Sequence, residues 1–122
     1  MKNLATFATA LALALGSATA QAQDASENVV LINAFTVPVE SLDEAIAMWD
    51  IARDFLDDQP GYVSTKLHRS LSTDATYLLI NVAQWETAEQ YKAATTKMRD
   101  SKILPRIEGV IPNPNLYEVI RD

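Results

Sequence analysis

The chain reads as one α+β domain with the ferredoxin-like order β-α-β-β-α-β, two helices covering one face of a four-stranded antiparallel sheet. Three observations predict this. Near-continuous apolar runs span Val29–Val37 and Tyr77–Trp85, apolar residues recur at helical spacing after Leu42, and prolines, glycines and polar turns separate the segments.

Taken in order, the first strand runs from Val29 to Val37 and Pro38 ends it. Ser41 with Glu44 three residues later forms a capping-box pattern. Leu42, Ala45, Ile46, Trp49, Ala52 and Leu56 then make one face of a helix over about Leu42–Asp58, with Asp43, Asp50, Asp54 and Asp57 on the solvated side. Pro60-Gly61 breaks the chain before a second strand, Tyr62–Leu71. Ser72–Thr76 is a turn of hairpin length leading into a third strand, Tyr77–Trp85. Thr87 and Gln90 form a second capping box, opening a helix that carries Tyr91, Ala94 and Met98 to about Arg99. A segment punctuated by Pro105, Pro112 and Pro114 follows, read either as a lid or as an ordinary connection, before a last strand over about Leu116–Ile120.

Residues 1–22 carry a different pattern. Met1, Lys2 and Asn3 precede an apolar run from Leu4 to Leu15 and then small residues, which reads as a signal peptide cleaved after Ala20 or Ala22. The run is shorter than the roughly 20 apolar residues of a membrane span. The expectation is an exported, periplasmic or secreted bacterial protein without membrane insertion after signal removal, with a flexible leader at 23–28 and the folded domain at 29–122.

Without Lys2 the mature chain has 9 basic and 16 acidic residues, a net charge of −7. Such a surface repels phosphate backbones and anionic lipid, so nucleic acid is not an expected partner. Chemistry narrows next. Only Gly61 and Gly109 remain in the mature chain, too few for a glycine-rich phosphate loop. One histidine and no cysteine leave no zinc site of the usual nitrogen and sulfur type and no triad of two histidines and a carboxylate. The serines near His68 (Ser64, Ser70 and Ser72) sit in no nucleophile motif. No cofactor and no metal is expected.

What remains is a pair of asparagines in apolar strands. Asparagine is depleted in strands, and a buried amide without partners costs about 1–3 kcal/mol, so Asn33 and Asn81 require an explanation. Alternation puts Asn33 on the side of Val29, Leu31, Phe35 and Val37, and Asn81 on that of Leu79, Ala83 and Trp85. If the two strands are neighbours, both amides point into one space between sheet and helices. Amides there can donate to an oxygen that gains negative charge, lowering the cost of ionising a phenol or an acidic C–H beside a carbonyl. The other face of the third strand, Leu78, Ile80 and Val82, is also apolar, and a second copy of the sheet is the economical cover. A homodimer is therefore expected.

The segments NAFTVP (Asn33 to Pro38), QPGYVSTKLHRS (Gln59 to Ser70) and INVAQWETAEQYKAA (Ile80 to Ala94) resemble the antibiotic biosynthesis monooxygenase family, and the resemblance spans about Val29–Ile120. That family comprises dimeric α+β barrels and includes cofactor-independent quinol and anthrone oxygenases, besides haem-degrading enzymes and isomerases. The resemblance implies catalytic roles for Asn33, Asn81 and Trp85, the amides holding a substrate oxygen and dioxygen while the tryptophan packs against the ring. It implies a substrate contact at Tyr91 and, from a neighbouring position, at Arg106. Haem-degrading members carry a tryptophan in the second helix and a histidine near its end, where this chain has Ala94 and Leu104.

His68 is the one side chain with an unperturbed pKa near neutrality, the default general base. Trp49, Met48 and Phe55 on the first helix, and Phe35 on the first strand, are expected in the core or as pocket wall. The function expected is oxidation of a quinol, anthrone or related phenolic aromatic with dioxygen as partner. The alternative is a non-catalytic binding protein for a small hydrophobic molecule or haem. Each site residue also has a structural alternative: Trp85 as core filler, the two amides as ties for adjacent loops, Tyr91 as half-buried surface, His68 as solvated.

Overall fold

A computed structural model describes residues 28–122; the signal peptide expected over 1–22 and residues 23–27 of the leader lie outside the described residues. The chain forms β1 (Val29–Phe35), a 3-10 turn (Val39–Ser41), α1 (Leu42–Leu56), β2 (Tyr62–Arg69), β3 (Leu79–Trp85), α2 (Ala88–Ser101) and β4 (Pro114–Tyr117). The strands make one antiparallel sheet in the order β2-β3-β1-β4. This is the ferredoxin-like topology, with both helices on one face.

The helices meet the sheet over two apolar clusters. Phe35, Val37, Leu78 and Leu79 pack with Ala45 of α1 at one end, and Leu31, Ala83 and Trp85 pack with Ala94 of α2 at the other. Leu79 and Trp85, 2% and 1% exposed, anchor the two ends of β3. The opposite face of the sheet carries Val30, Ile32, Ile80 and Val82, all partly exposed in the single chain, with Tyr117 beside Val30 at 49% exposure.

Several boundaries differ from those read in the sequence. Leu78 precedes β3 and packs into the core beside Leu79, so the outward alternation starts at Ile80. β1 stops at Phe35, because beyond it only Thr36 keeps a bridge, to Ile111. β2 ends at Arg69, short of Leu71, which stands fully exposed in the hairpin turn. β4 begins at Pro114, earlier than the expected Leu116, and Ile120 lies outside it. An edge strand tolerates proline because the missing N–H faces away from the ladder.

The two capping boxes part company. Thr87 is extended at the start of α2 and its hydroxyl accepts from the Gln90 N–H at 3.1 Å. Ser41 makes no side-chain cap, because it closes the 3-10 turn, where its own N–H donates to the Pro38 carbonyl at 2.9 Å. The turn delivers the chain into α1 with Ser41 already near-helical, and a hydroxyl caps well only from an extended residue. Replacing Thr87 with alanine is therefore expected to cost about 1 kcal/mol of stability. Ser41→Ala should stay within about 0.5 kcal/mol of the parent, both read from denaturant midpoints.

Candidate active site

The pairing of β1 with β3 sets Asn33 directly opposite Asn81. On each strand the asparagine lies between core residues of the same face, Leu31 and Phe35 on β1 and Leu79 and Ala83 on β3. The amides thus occupy the interval between the two apolar clusters. Above them the helices stand off the sheet and leave a cavity of about 1210 Å³. Its walls are Met48, Trp49 and Ala52 of α1, Tyr91 and Met98 of α2, and residues 104–112. Small-molecule pockets run from roughly 300 to 1,000 Å³, so a fused-ring aromatic fits with room to spare.

Both amide oxygens are held by the protein. The Thr65 hydroxyl donates to Asn81 Oδ1 at 2.6 Å, and the Asn113 main-chain N–H donates to Asn33 Oδ1 at 2.9 Å. The Asn113 side chain returns a bond to the Ala34 carbonyl, also at 2.9 Å. Asn33 therefore does tie a loop, fixing the segment before β4 to β1. Its amino group and that of Asn81 have no hydrogen-bond partner among the described residues. Neither nitrogen is sealed off, since the one buried side-chain polar atom without a partner there is Thr36 Oγ1. Asn81 is 8% exposed, the single polar side chain among the buried residues of the described part of the chain.

Trp85 closes one end of the cavity. Tyr62 and Tyr91 meet it edge-on, with ring centroids 5.6 and 5.7 Å away and interplanar angles of 88° and 75°. Trp85 is thus core filler and cavity wall at once. Burial pushes the Tyr91 phenol above its ordinary value near 10, and it does the same to Tyr62, helped by Asp57 and opposed by Arg53. Both phenols stay protonated at neutral pH, so they can donate a hydrogen bond but do not act as bases there.

Phe35, Trp49 and Arg106 also line the cavity, Arg106 exposed at its rim. Phe55 does not; it faces a small recess with Ile51 and Ile103. His68 is a larger departure. It pairs with Ile80 across β2 and β3, on the outer face of the sheet, and its Nδ1 lies 3.2 Å from the Ile80 carbonyl. Alternation along β2 turns its ring away from the amides, so His68 cannot be the base of its own chain's cavity. Among the described residues, no group of three or more histidine and carboxylate side chains converges as a metal site.

Thr65, Tyr62, Arg53, Arg99 and Asn113 belong to the site and were not singled out in the sequence. Thr65 was within reach, since it lies on the side of β2 opposite Lys66 and His68. Tyr62 was not. A bulge at Val63 shifts the register between Tyr62 and Ser64, and this brings Tyr62 to Trp85. Arg53 stacks over Trp49 at 5.2 Å and pairs with Asp50 and Asp54 at the surface.

The cavity roof is a strap between two left-handed residues, Lys102 (φ 56°) at the end of α2 and Gly109 (φ 84°). A Cβ on Gly109 would stand 2.6 Å from Pro38 Cγ, so the strap's close seat on the turn before α1 depends on glycine. Past Gly109 the chain is bound to the residue just after β1 through a pair of bonds between Thr36 and Ile111, each 3.0 Å.

Comparison with known proteins bears on this arrangement. The sequence profile of the family described as antibiotic biosynthesis monooxygenase matches residues 28–97. A monooxygenase candidate from Shewanella loihica PV-4 is 47% identical, with 80% of this chain and 98% of that one aligned at a TM-score of 0.73. Two more distant structures share the fold. SnoaB, a cofactor-independent oxygenase from Streptomyces nogalater, is 20% identical with a TM-score of 0.59 over 79% of this chain and 96% of its own. The haem degrader MhuD from Mycobacterium tuberculosis, with two haems in its active site, is 22% identical with a TM-score of 0.61 over 77% and 97%. No curated protein matches the chain in sequence.

The buried phenol makes an alkaline prediction. With its pKa raised in the folded state, Tyr91 contributes stability that is fully present below about pH 10 and is lost as pH climbs through the folded value. Tyr91→Phe should therefore lose less stability between about pH 9.5 and 11 than the parent, measured by denaturant unfolding at each pH.

Proposed function

The chain belongs to the antibiotic biosynthesis monooxygenase family, and we propose that it oxidises a quinol, anthrone or related phenolic aromatic with dioxygen and without a cofactor. The observation that carries this reading is the pair of asparagines that line a large, mostly apolar cavity from adjacent strands, each with its amide oxygen already held by the protein. In a water-poor site, donors fixed toward a developing oxyanion stabilise it without reorganising during the reaction. A phenolate or enolate held there is electron-rich enough to reduce dioxygen. For an anthrone, a methylene becomes a carbonyl while one oxygen atom is retained and the other leaves as water.

The protein supplies orientation and charge stabilisation rather than proton abstraction. The titratable groups lining the cavity are arginines, Glu108 at the exposed rim and two tyrosines with raised pKa values. Ionisation is thus left to the substrate, assisted by the amides. Haem binding is less well supported, since the chain's single histidine lies on the other side of the sheet. Arg106 at the rim suits an anionic substituent on the substrate.

The same reading includes export, supported by the charged and apolar pattern of the first residues, and a symmetric homodimer. The dimer is supported by the partly exposed Val30, Ile32, Ile80 and Val82 on the sheet face opposite the helices. Sedimentation of the mature protein at micromolar concentration should give a dimer. A monomer would remove this part of the proposal.

Oxygen uptake by purified mature protein, with hydroquinones and anthrones of graded acidity, tests the activity. The pH at which kcat/KM rises should move with each substrate's own pKa. An inflection fixed across substrates would indicate a protein base and overturn the mechanism. Asn33→Asp keeps an oxygen for the Asn113 N–H but replaces the donor with an anion. It is expected to fold like the parent and to lose about 10²-fold in kcat.

A further inference from the structure

We infer that Thr65 is a positioning residue that fixes the Asn81 amide with its amino group toward the cavity, making the cavity floor a two-donor site that favours substrate oxygens as anions or carbonyls over neutral hydroxyls. The inference rests on the proposed reading that a phenolic molecule occupies the cavity, and it adds the polarity of the site.

The orientation of each amide follows from what holds its other end. A main-chain N–H can only donate, so the atom of Asn33 that lies 2.9 Å from the Asn113 nitrogen is its oxygen, and the amino group takes the remaining direction. For Asn81 the holding group is a hydroxyl, which can donate or accept, so the separation decides. At 2.6 Å the contact falls in the O–H···O range and is short for an N–H···O bond. The Thr65 hydroxyl therefore donates to Oδ1, and the amino group is left to the cavity. Both oxygens being engaged, neither amide can turn a carbonyl inward without breaking a bond to the protein.

The register brings the two amino groups together. Asn33 and Asn81 are cross-strand partners on one face, where directly opposed Cβ atoms lie about 4.5–5.5 Å apart. Two donors at that spacing converge on one oxygen or on adjacent oxygens. A neutral phenol oxygen accepts more weakly than a phenolate and brings a hydrogen for which the two donors offer no acceptor, so it is disfavoured. A phenolate satisfies both donors. Without Thr65 the Asn81 amide is free to rotate, and its carbonyl then repels the same anion.

4-Nitrophenol is the probe, since it titrates near neutral pH and its phenolate is coloured, so its bound pKa is read without turnover. The parent is expected to bind the phenolate more tightly than the phenol and to lower the bound pKa. Thr65→Val, which keeps the shape and removes the hydroxyl, should lose that preference by about tenfold, which corresponds to about 1.4 kcal/mol. Thr65→Ser, which restores the hydroxyl, should recover it, and the thermal midpoints of both variants verify folding.

A Thr65→Val protein that prefers the phenolate as strongly as the parent overturns the inference. So does a parent that shows no preference for the phenolate. Failure of the oxidation reading appears separately, as a parent that binds the phenolate preferentially but consumes no oxygen with any quinol or anthrone.

Discussion

The antiparallel register of β1 against β3 is the constraint on which the site depends, because it brings two polar side chains face to face in the middle of an apolar layer. A slip of one residue would send Asn33 to the outer face and bring Ile32 inward, exchanging the core with the exposed side of the sheet. The apolar residues flanking each asparagine hold the register against that slip. A slip of β1 would take Leu31 and Phe35 out of the core together, and a slip of β3 would do the same to Leu79 and Ala83. The amides are therefore held by the packing of their neighbours, and they in turn prevent the two apolar clusters from merging into one.

That interruption creates the cavity. Helices packed over a continuous apolar face would close onto the sheet, whereas here they make contact at the two ends and stand off between them. The division lets one residue serve two purposes. Asn33 ties the segment before β4 through its oxygen and faces the cavity with its nitrogen. Trp85 fills the core with one part of its ring system and closes the cavity with another. Structural and chemical readings of such residues do not exclude each other, since a side chain with two polar ends or two broad faces can satisfy both.

The fold was legible because its signals extend over many residues. The near-continuous apolar runs of β1 and β3 and the helical spacing from Leu42 to Leu56 are each long enough to survive local irregularities. Single-residue signals fared less evenly. Thr87 caps α2 as its pattern indicates, but Ser41 carries the same pattern and does not cap, because the 3-10 turn ahead of α1 sets its backbone. His68 was attractive as the chain's one histidine, yet proton chemistry in this cavity requires the inward side of β2, which belongs to Thr65 and Leu67. Tyr62 reached the site through a bulge at Val63, a local insertion that leaves little trace in residue type.

By itself, then, the sequence determined the order of elements, the side of each strand on which the asparagines fall, and a set of side chains with no cysteine and a single histidine. These follow from local periodicity and composition, which a chain carries before it folds. Tertiary structure alone decided that Asn33 stands opposite Asn81, that Thr65 and Asn113 hold their oxygens, and that a strap between Lys102 and Gly109 roofs the space above them. Residues 80 positions apart in the chain meet in the Asn33–Asn113 bond. No local pattern encodes such a pairing; it arises from the register of the packed sheet.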